Sequence, residues 1–123
     1  MQFDLQHIPI SHEDERRRLT AVMNGDFTAK QIKILDIKET SVLGGHYHNY
    51  SELFYIVSGK ATFTLESVDT KERVTVTLKP NDRLIIGPRI AHEVVMNEGT
   101  LTIEATEQPY VSPEINDVRY ETK

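Results

Sequence analysis

The alternation of apolar and polar residues limits the fold of this chain more than any other feature of its sequence. Apolar residues occupy every second position in three runs, KATFTLES (60–67), RVTVTLK (73–79) and TLTIEAT (100–106). Successive side chains of a β-strand point to opposite faces, so this pattern is typical of strands that bury one face. Three such runs in 123 residues predict an all-β domain in which the apolar face of each run is the buried one.

Three further runs, 30–38, 52–58 and 83–87, are almost continuously apolar or β-branched. Such runs are expected of central strands that are covered on both faces. Turn-forming glycine, proline, asparagine and aspartate residues separate the runs at short intervals, which favours an antiparallel sandwich or barrel. The charged block HEDERRRL (12–19) is predicted to lie on a solvated loop or a short helix.

Composition excludes several functional classes. The chain has no cysteine, which rules out disulfides, thiolate metal sites and cysteine nucleophiles. Its 19 acidic residues against 14 lysines and arginines argue against nucleic acid as a partner. No apolar run approaches the ~18 residues of a membrane span, and the first residues do not resemble a signal peptide. We therefore expect one cytoplasmic domain over residues 1–123, which binds a small molecule and no membrane.

The stretch HYHNYSE (46–52) concentrates three side chains of the kinds that bind metal ions. His46 and His48 are two residues apart and so share one face of a strand, and Glu52 has the same parity. His92 begins another alternating run forty residues after Glu52. Donors from two separate strands converge only inside a closed or nearly closed sheet. The four residues together therefore predict a polar site inside a barrel.

These residues resemble the two sequence motifs of the cupin superfamily. The first motif, G-(X)5-H-X-H-(X)3,4-E-(X)6-G, is matched from His46 through Glu52 to Gly59. The second motif, G-(X)5-P-X-G-(X)2-H-(X)3-N, is matched at Pro88 and His92. The resemblance therefore includes every position that supplies a metal ligand in these motifs.

Four positions depart from the cupin motifs. Thr40 stands at the position of the first glycine, and Ile90 replaces the glycine that follows the proline. Asn81 lies near another glycine position, and Asn97 falls one place late. All four departures concern the geometry of turns, so they leave the metal-binding positions unaffected.

The resemblance covers about residues 30–106, the expected barrel core, and implies a double-stranded β-helix, which is a jelly-roll barrel. Carried over residue by residue, it implies a divalent metal ion bound by His46, His48, Glu52 and His92. Imidazole nitrogens with one carboxylate suit Mn, Fe, Ni, Co, Cu or Zn, and affinity alone does not choose among these metals.

Residues 32–63 are similar to the cupin domains of capsular-polysaccharide and deoxysugar-nucleotide enzymes. This similarity implies a metal-dependent isomerase or epimerase that acts on a small polar substrate such as a sugar or a sugar nucleotide. In the related sugar-nucleotide ketoisomerases the histidine pair is thought to serve as acid and base without a metal. Those sequences carry glutamate less often at the third site, so Glu52 favours a metal here.

Two other functions stay open, because the cupin fold alone does not decide function. They are an iron-dependent dioxygenase and a non-catalytic module that binds a metal or a small ligand. The candidate catalytic residues are Tyr50 and Arg89. Tyr50 lies in the loop between His48 and Glu52, and Arg89 lies three residues before His92.

A homodimer is also predicted, because small cupins often pair their sheets. The N-terminal segment FDLQHI (3–8) and the tail after Pro109 are the segments expected to contact a second subunit. The tail has little periodicity, so we expect it to pack as an extended edge or to join the partner.

Overall fold

The computed structural model describes residues 1–122. Within these residues it contains twelve strands and one short helix, and no helix has the length and apolarity of a membrane span. The elements are β1 (Phe3–His7), β2 (His12–Glu13), β3 (Arg18–Leu19), β4 (Gln31–Asp36), β5 (Ser41–Tyr47), β6 (Glu52–Ser58), β7 (Ala61–Ser67), β8 (Arg73–Leu78), β9 (Asp82–Ile86), β10 (Ile90–Met96), β11 (Leu101–Thr106), α1 (Pro113–Asn116) and β12 (Val118–Arg119).

Ten of the twelve described strands form two five-stranded antiparallel sheets that face each other. The first sheet has the order β1-β9-β6-β11-β4, and the second has the order β12-β5-β10-β7-β8. The chain passes repeatedly from one sheet to the other, since β4 lies in the first sheet, β5 in the second and β6 in the first again. This connectivity is that of a jelly roll, so the predicted all-β class and architecture are confirmed.

The main core lies between the two sheets. Phe63 and Met96 come from the second sheet, Ile56 and Leu84 come from the first, and all four are fully buried. The Phe63 ring packs edge-on against Phe54, with 4.8 Å between the ring centroids. The apolar faces of β7 and β8 pack against this core, as their alternation predicted.

The strand β11 differs from the other alternating runs, because both of its faces are covered. Its polar residues Thr102, Glu104 and Thr106 are buried on the barrel side. Ile103 and Ala105 pack on the outer side of the sheet in a second apolar cluster. The prediction of one buried, apolar face is therefore wrong for this run.

Two of the three continuously apolar runs are central strands. β6 and β9 lie inside the first sheet and are buried along most of their length, as predicted. The run 30–38 forms β4 instead, an edge strand in which Ile32 and Ile34 are 67% and 69% exposed. The prediction of a central strand is wrong there, because β4 pairs with β11 alone among the described strands.

The charged block 12–19 forms a small hairpin, so the predicted loop or helix is wrong. β2 pairs with β3, and Arg18 Nε donates to Glu13 Oε2 at 3.0 Å. The Asp14 carboxylate closes the turn by accepting a hydrogen bond from the backbone N–H of Arg17 at 3.0 Å. The whole hairpin is exposed, as a block of charges requires.

The segment 20–29 covers the outer face of the first sheet. Val22 and Phe27 pack on the second apolar cluster. The buried Arg83 guanidinium donates to the Val22 carbonyl oxygen at 3.0 Å, and its Nη2 lies 2.7 Å from Asp26 Oδ2. Arg83 therefore holds this segment on the sheet.

Both ends of the described chain join the barrel. β1 pairs with β9 in the first sheet, and β12 pairs with β5 in the second. The two segments that were expected to contact a second subunit therefore complete sheets of their own chain. The homodimer itself stays a prediction.

Candidate functional site

A cavity of about 260 Å³ lies between the two sheets. His46 on β5 and His92 on β10 reach it from the second sheet, where the two residues are register partners. Glu52 begins β6 and reaches the cavity from the first sheet, and His48 lies in the connection between β5 and β6. The crossing of the chain from one sheet to the other thus places these side chains around one space.

The structure brings the four predicted metal ligands together. One ring nitrogen from each of His46, His48 and His92 lies within 4.8 Å of the other two. Glu52 Oε1 lies 3.4 Å from His48 Nε2 and 3.3 Å from His92 Nε2. Three of the four side chains are buried, and His46 keeps 24% of its side chain exposed. His46 is therefore the most accessible of the four side chains.

The donor set fits a divalent transition metal. Glu52 Oε1 is buried and has no hydrogen-bond partner among the described residues. The Nδ1–H of His48 donates to the Asn116 carbonyl oxygen at 2.8 Å, and a carbonyl can only accept. Nδ1 therefore carries a proton, which leaves Nε2, on the Glu52 side, as the His48 nitrogen that can bind an ion. Three imidazoles and one carboxylate suit first-row divalent ions, so these residues are able to bind one. The binding of such an ion stays a prediction.

His46 and His92 are held in the neutral form. Burial lowers the pKa of His46 to about 4, and the neighbouring His92 acts in the same direction against the Asp117 carboxylate. Burial also lowers the pKa of His92, although the Glu52 carboxylate opposes this effect. Both rings are therefore neutral at pH 7, which is the form in which imidazole binds a metal ion.

His48 and Glu52 shift the pKa values of each other in opposite directions. Burial works against protonation of His48, but the adjacent Glu52 carboxylate outweighs it and raises the His48 pKa. Burial likewise works against ionisation of Glu52, but the His48 imidazole outweighs it and lowers the pKa of this carboxyl group. A cation that binds here would therefore compete with a proton for His48 Nε2.

The tail contributes the groups that orient the histidines, and the sequence patterns did not predict them. The helix α1 starts after Ser112, whose side chain accepts a hydrogen bond from the Ile115 N–H. Asn116 follows and supplies the carbonyl that binds His48, as described above. Asp117 places its carboxylate 3.4 Å from His48 Nδ1 and 3.8 Å from His46 Nδ1. The Ser-Pro pair at 112–113 is a helix-start signal, but it carries no information about the histidines.

Tyr50, a predicted catalytic residue, lines the cavity. Its ring stacks on His48 with 4.8 Å between the centroids and 13° between the planes. Its hydroxyl oxygen accepts a hydrogen bond from Asn116 Nδ2 at 3.0 Å. Burial raises the pKa of Tyr50, so this phenol keeps its proton at neutral pH. The arrangement suits a hydrogen-bond donor towards a ligand in the cavity.

Arg89, the other predicted catalytic residue, lies outside the residues that line the cavity. Its guanidinium group binds Asp69, with Nη2 2.7 Å and Nε 3.1 Å from Oδ1. Its backbone N–H donates to the His48 carbonyl oxygen at 2.9 Å. Arg89 is close to His92 in sequence, but its side chain does not enter the cavity. The chain turns at Arg89, where φ is +61°. Arg89 thus ties the turn before β10 to the loop after β5.

Glu104 lines the same cavity and was missed in the sequence. Its carboxyl group is buried on the barrel side of β11, and its Oε1 lies 3.7 Å from Lys33 Nζ. Burial raises the pKa of Glu104 to about 7. An acidic residue in an alternating run is usually on the solvent face, which is why it was not singled out. The sequence does place Glu104 on the same face of the strand as Thr102 and Thr106, and this shared face could have indicated that the three residues lie together.

Comparison with known families agrees with this geometry. A sequence model described as the cupin domain matches residues 34–107. This chain belongs to the cupin family. The matched segment contains all four predicted ligands of the cupin site. A search of curated proteins gave no match.

Solved structures share the fold of this cupin over almost its whole length. A 3,4-ketoisomerase from Helicobacter canadensis is 22% identical with a TM-score of 0.81, over 97% of this chain and 91% of that one. A mutant 3,4-ketoisomerase from Thermoanaerobacterium thermosaccharolyticum, in complex with TDP-4-keto-6-deoxyglucose, is 19% identical with a TM-score of 0.78, over 95% and 86%. The 3'-monoepimerase ChmJ from Streptomyces bikiniensis, in complex with dTDP-quinovose, is 14% identical with a TM-score of 0.81, over 95% and 68%. At sequence identities of 14–22%, the similarity of these structures shows a shared fold alone.

The departures from the cupin motifs do not break the turns. Asn81, which lies near a usual glycine position, adopts the left-handed φ of +73°. Asparagine enters this region more readily than most residues, and its side chain accepts a hydrogen bond from the Tyr55 hydroxyl at 3.0 Å. Thr40 Oγ1 accepts a hydrogen bond from the Glu98 N–H at 3.0 Å. Local hydrogen bonds at these two positions thus support turns in which other cupins use glycine.

Gly44 allows the two histidine-bearing strands of this cupin to approach each other. Its φ is +93°, and an added Cβ would lie 2.5 Å from the His92 carbonyl oxygen. Gly44→Ala is therefore expected to push β5 and β10 apart at the irregular register next to His92. We expect a loss of about 2–3 kcal/mol in the free energy of unfolding, measured with urea.

Gly45→Ala is the matched control for this substitution. Gly45 also has a positive φ, +79°, but the nearest atom to an added Cβ is 3.9 Å away. The control therefore carries only the backbone strain, about 1 kcal/mol. Equal losses for the two variants would show that the contact with His92 has no energetic role.

Proposed function

We propose that this cupin is a metal-dependent isomerase or epimerase that acts on a keto sugar carried by a nucleotide. The observation that carries the proposal is the cluster of three histidines and Glu52 on the wall of a cavity of about 260 Å³. Pockets for drug-sized ligands are commonly about 300–1,000 Å³, so this one suits a single sugar ring with the nucleotide outside. The substrate class is a small polar molecule, in keeping with the charged and hydroxyl side chains around the space.

The solved structures with this fold support the substrate class. Several are named as 3,4-ketoisomerases or epimerases, and some contain TDP or a TDP-sugar. Their identities to this chain are between 14% and 22%, so the step from shared fold to shared substrate class is our inference.

We assign the metal to His46, His48, Glu52 and His92. When bound, a divalent ion supplies a Lewis acid that polarises a carbonyl oxygen. Asn116 fixes the ring of His48 through its carbonyl oxygen, and Asp117 holds its carboxylate near the Nδ1 atoms of His46 and His48. Such partners keep ligating histidines in one orientation.

Tyr50 lines the same cavity and stacks on His48. Its raised pKa keeps the hydroxyl protonated, so we assign it the donation of a hydrogen bond to a substrate oxygen. Asn116 Nδ2 donates a hydrogen bond to this hydroxyl oxygen at 3.0 Å and so fixes its position. A rigid ring stacked on His48 also excludes water from the ligands.

The test is incubation with TDP-4-keto-6-deoxyglucose in deuterium oxide, followed by NMR of the sugar. We expect an isomeric or epimeric keto sugar, deuterium at the carbon beside the carbonyl, and no dependence on oxygen. A chelator is expected to stop the conversion, and the corresponding TDP-glucose, which has no keto group, is the control substrate. Turnover that requires oxygen would favour the dioxygenase. Absence of both conversion and deuterium would contradict the proposal and favour a binding module.

A further inference from the structure

We propose that Glu104 is the base that moves the carbon-bound proton in the proposed isomerase reaction. The inference rests on the proposed function of the same cavity. The motif positions of the cupin family do not include this residue. What points to it is its place in the fold, a buried carboxyl group on the wall that faces the histidines.

Glu104 lies on the opposite sheet from the histidine-bearing strands. β11 belongs to the first sheet, whereas β5 and β10 belong to the second. The register partner of Glu104 on β6 is Phe54, whose ring centroid lies 6.0 Å from that of His92. Glu104 and the histidines line one cavity. A sugar ring between the sheets would therefore meet His46 and His92 from the second sheet and Glu104 from the first.

Burial and the charge of Lys33 act on the pKa of Glu104 in opposite directions. Lys33 faces Glu104 from β4 with Nζ 3.7 Å from Oε1, and the charges of Glu52 on β6 and of His48 in the connection after β5 also act on it. Burial raises its pKa to about 7, the Glu52 carboxylate acts in the same direction, and Lys33 and His48 oppose them. A general base is most effective when its pKa lies near the working pH. Tyr50, which keeps its proton, does not offer this function.

The proposed step is balanced within the substrate and one side chain. The Glu104 carboxylate takes the proton from the hydroxyl-bearing carbon next to the carbonyl, and the electron pair of the broken C–H bond forms the C=C bond of an enediolate. The protonated carboxyl group then returns the proton to the carbon atom of the original carbonyl group. The hydroxyl hydrogen passes from one sugar oxygen to the other. The ketone thus moves by one carbon, and no oxidant or reductant is needed.

The test is Glu104→Gln, which keeps the size of the side chain but cannot accept the proton. We expect kcat to fall by about 10²–10⁴ while KM and the Kd of TDP stay unchanged. Glu93→Gln is the matched control, since Glu93 is exposed on the outer face of β10. Glu104→Asp, which keeps a carboxylate, is expected to recover part of the loss.

The pH profile separates a base from a structural residue. The base must be ionised, so wild-type kcat is expected to rise as pH increases through the pKa of Glu104. The residual activity of Glu104→Gln is expected to lack this rise. Full kcat in Glu104→Gln, or equal losses in the Gln and Asp variants, would overturn the role of Glu104 and leave the proposed function standing. Failure of the wild type to convert the keto sugar would instead overturn the proposed function, and this role with it.

Discussion

Replacing His48 by alanine is expected to remove metal binding and turnover together. His48 contacts more of the site than either other histidine, because it approaches Glu52 at 3.4 Å, donates to Asn116 and stacks on Tyr50. Loss of a group that only orients a ligand costs 10- to 100-fold in metal affinity, so loss of the ligand is expected to cost about 100-fold or more. Mass spectrometry of the purified and zinc-reconstituted proteins measures the metal content.

His12→Ala is the control for this loss. His12 lies on the exposed hairpin, contacts Asp14 and is not among the residues that line the cavity. This variant is expected to keep the metal content and the turnover of the wild type. Metal content in His48→Ala equal to that of the wild type would show that the ligand assignment is wrong.

The metal content of the wild type is expected to depend on pH through the same residue. The pKa of His48 is raised above its ordinary value of 6.5, so protons compete for this ring first as pH falls. Glu52 stays ionised because its pKa is lowered, and the lowered pKa values keep His46 and His92 neutral to lower pH. Occupancy is therefore expected to fall as pH drops through the His48 pKa. Unchanged affinity at pH 4 would exclude histidine ligands.

Replacing Phe63 by alanine is expected to cause the largest loss of stability. Phe63 is fully buried between the two sheets and packs edge-on against Phe54. Large-to-small changes of a buried phenylalanine cost about 3–5 kcal/mol, because burial is lost and a cavity remains. Domains of this kind are stable by about 5–15 kcal/mol, so this one change removes a large part of the total. Urea unfolding monitored by circular dichroism measures the effect.

Val42→Ala provides the comparison on an exposed strand position. Val42 lies on β5 with 64% of its surface exposed, so its loss is expected to cost about 1 kcal/mol or less. A cost for Phe63→Ala as small as that of Val42→Ala would show that the two sheets move together and fill the space. Tight packing between the sheets would then be excluded as the main source of stability.

Part of the candidate site was open to prediction from local spacing. His46 and His48 share a face because they are two residues apart in a strand, and this parity survives in the folded chain. Parity and a second alternating run pointed to Glu52 and His92, and the resemblance to the cupin motifs implied that both bind a metal. Glu52 Oε1 lies 3.4 Å from His48 Nε2 and 3.3 Å from His92 Nε2. A motif of this kind records which residues meet, since the barrel that brings them together is common to the family.

The errors arose where burial depends on neighbours that are distant in sequence. Ile32 and Ile34 look like residues of a central strand, but β4 lies at the edge of its sheet. The alternation in β11 suggests that Glu104 faces solvent. Instead, the outer face of β11 packs in the second apolar cluster, and Glu104 lies on the barrel side. Arg89 looks like a neighbour of the site, but a left-handed turn directs it to Asp69.

The sequence by itself determined the all-β class, the jelly-roll family and the set of four candidate metal ligands. These follow from the period of two in the strands and from the motif spacing, both of which are local properties of the chain. Only the tertiary structure decided that Asn116 and Asp117 hold the histidines and that Glu104 enters the cavity. The physical reason is that strand order and long-range packing set the burial and the electrostatic environment of a residue. Residues that are close in sequence do not determine strand order or long-range packing.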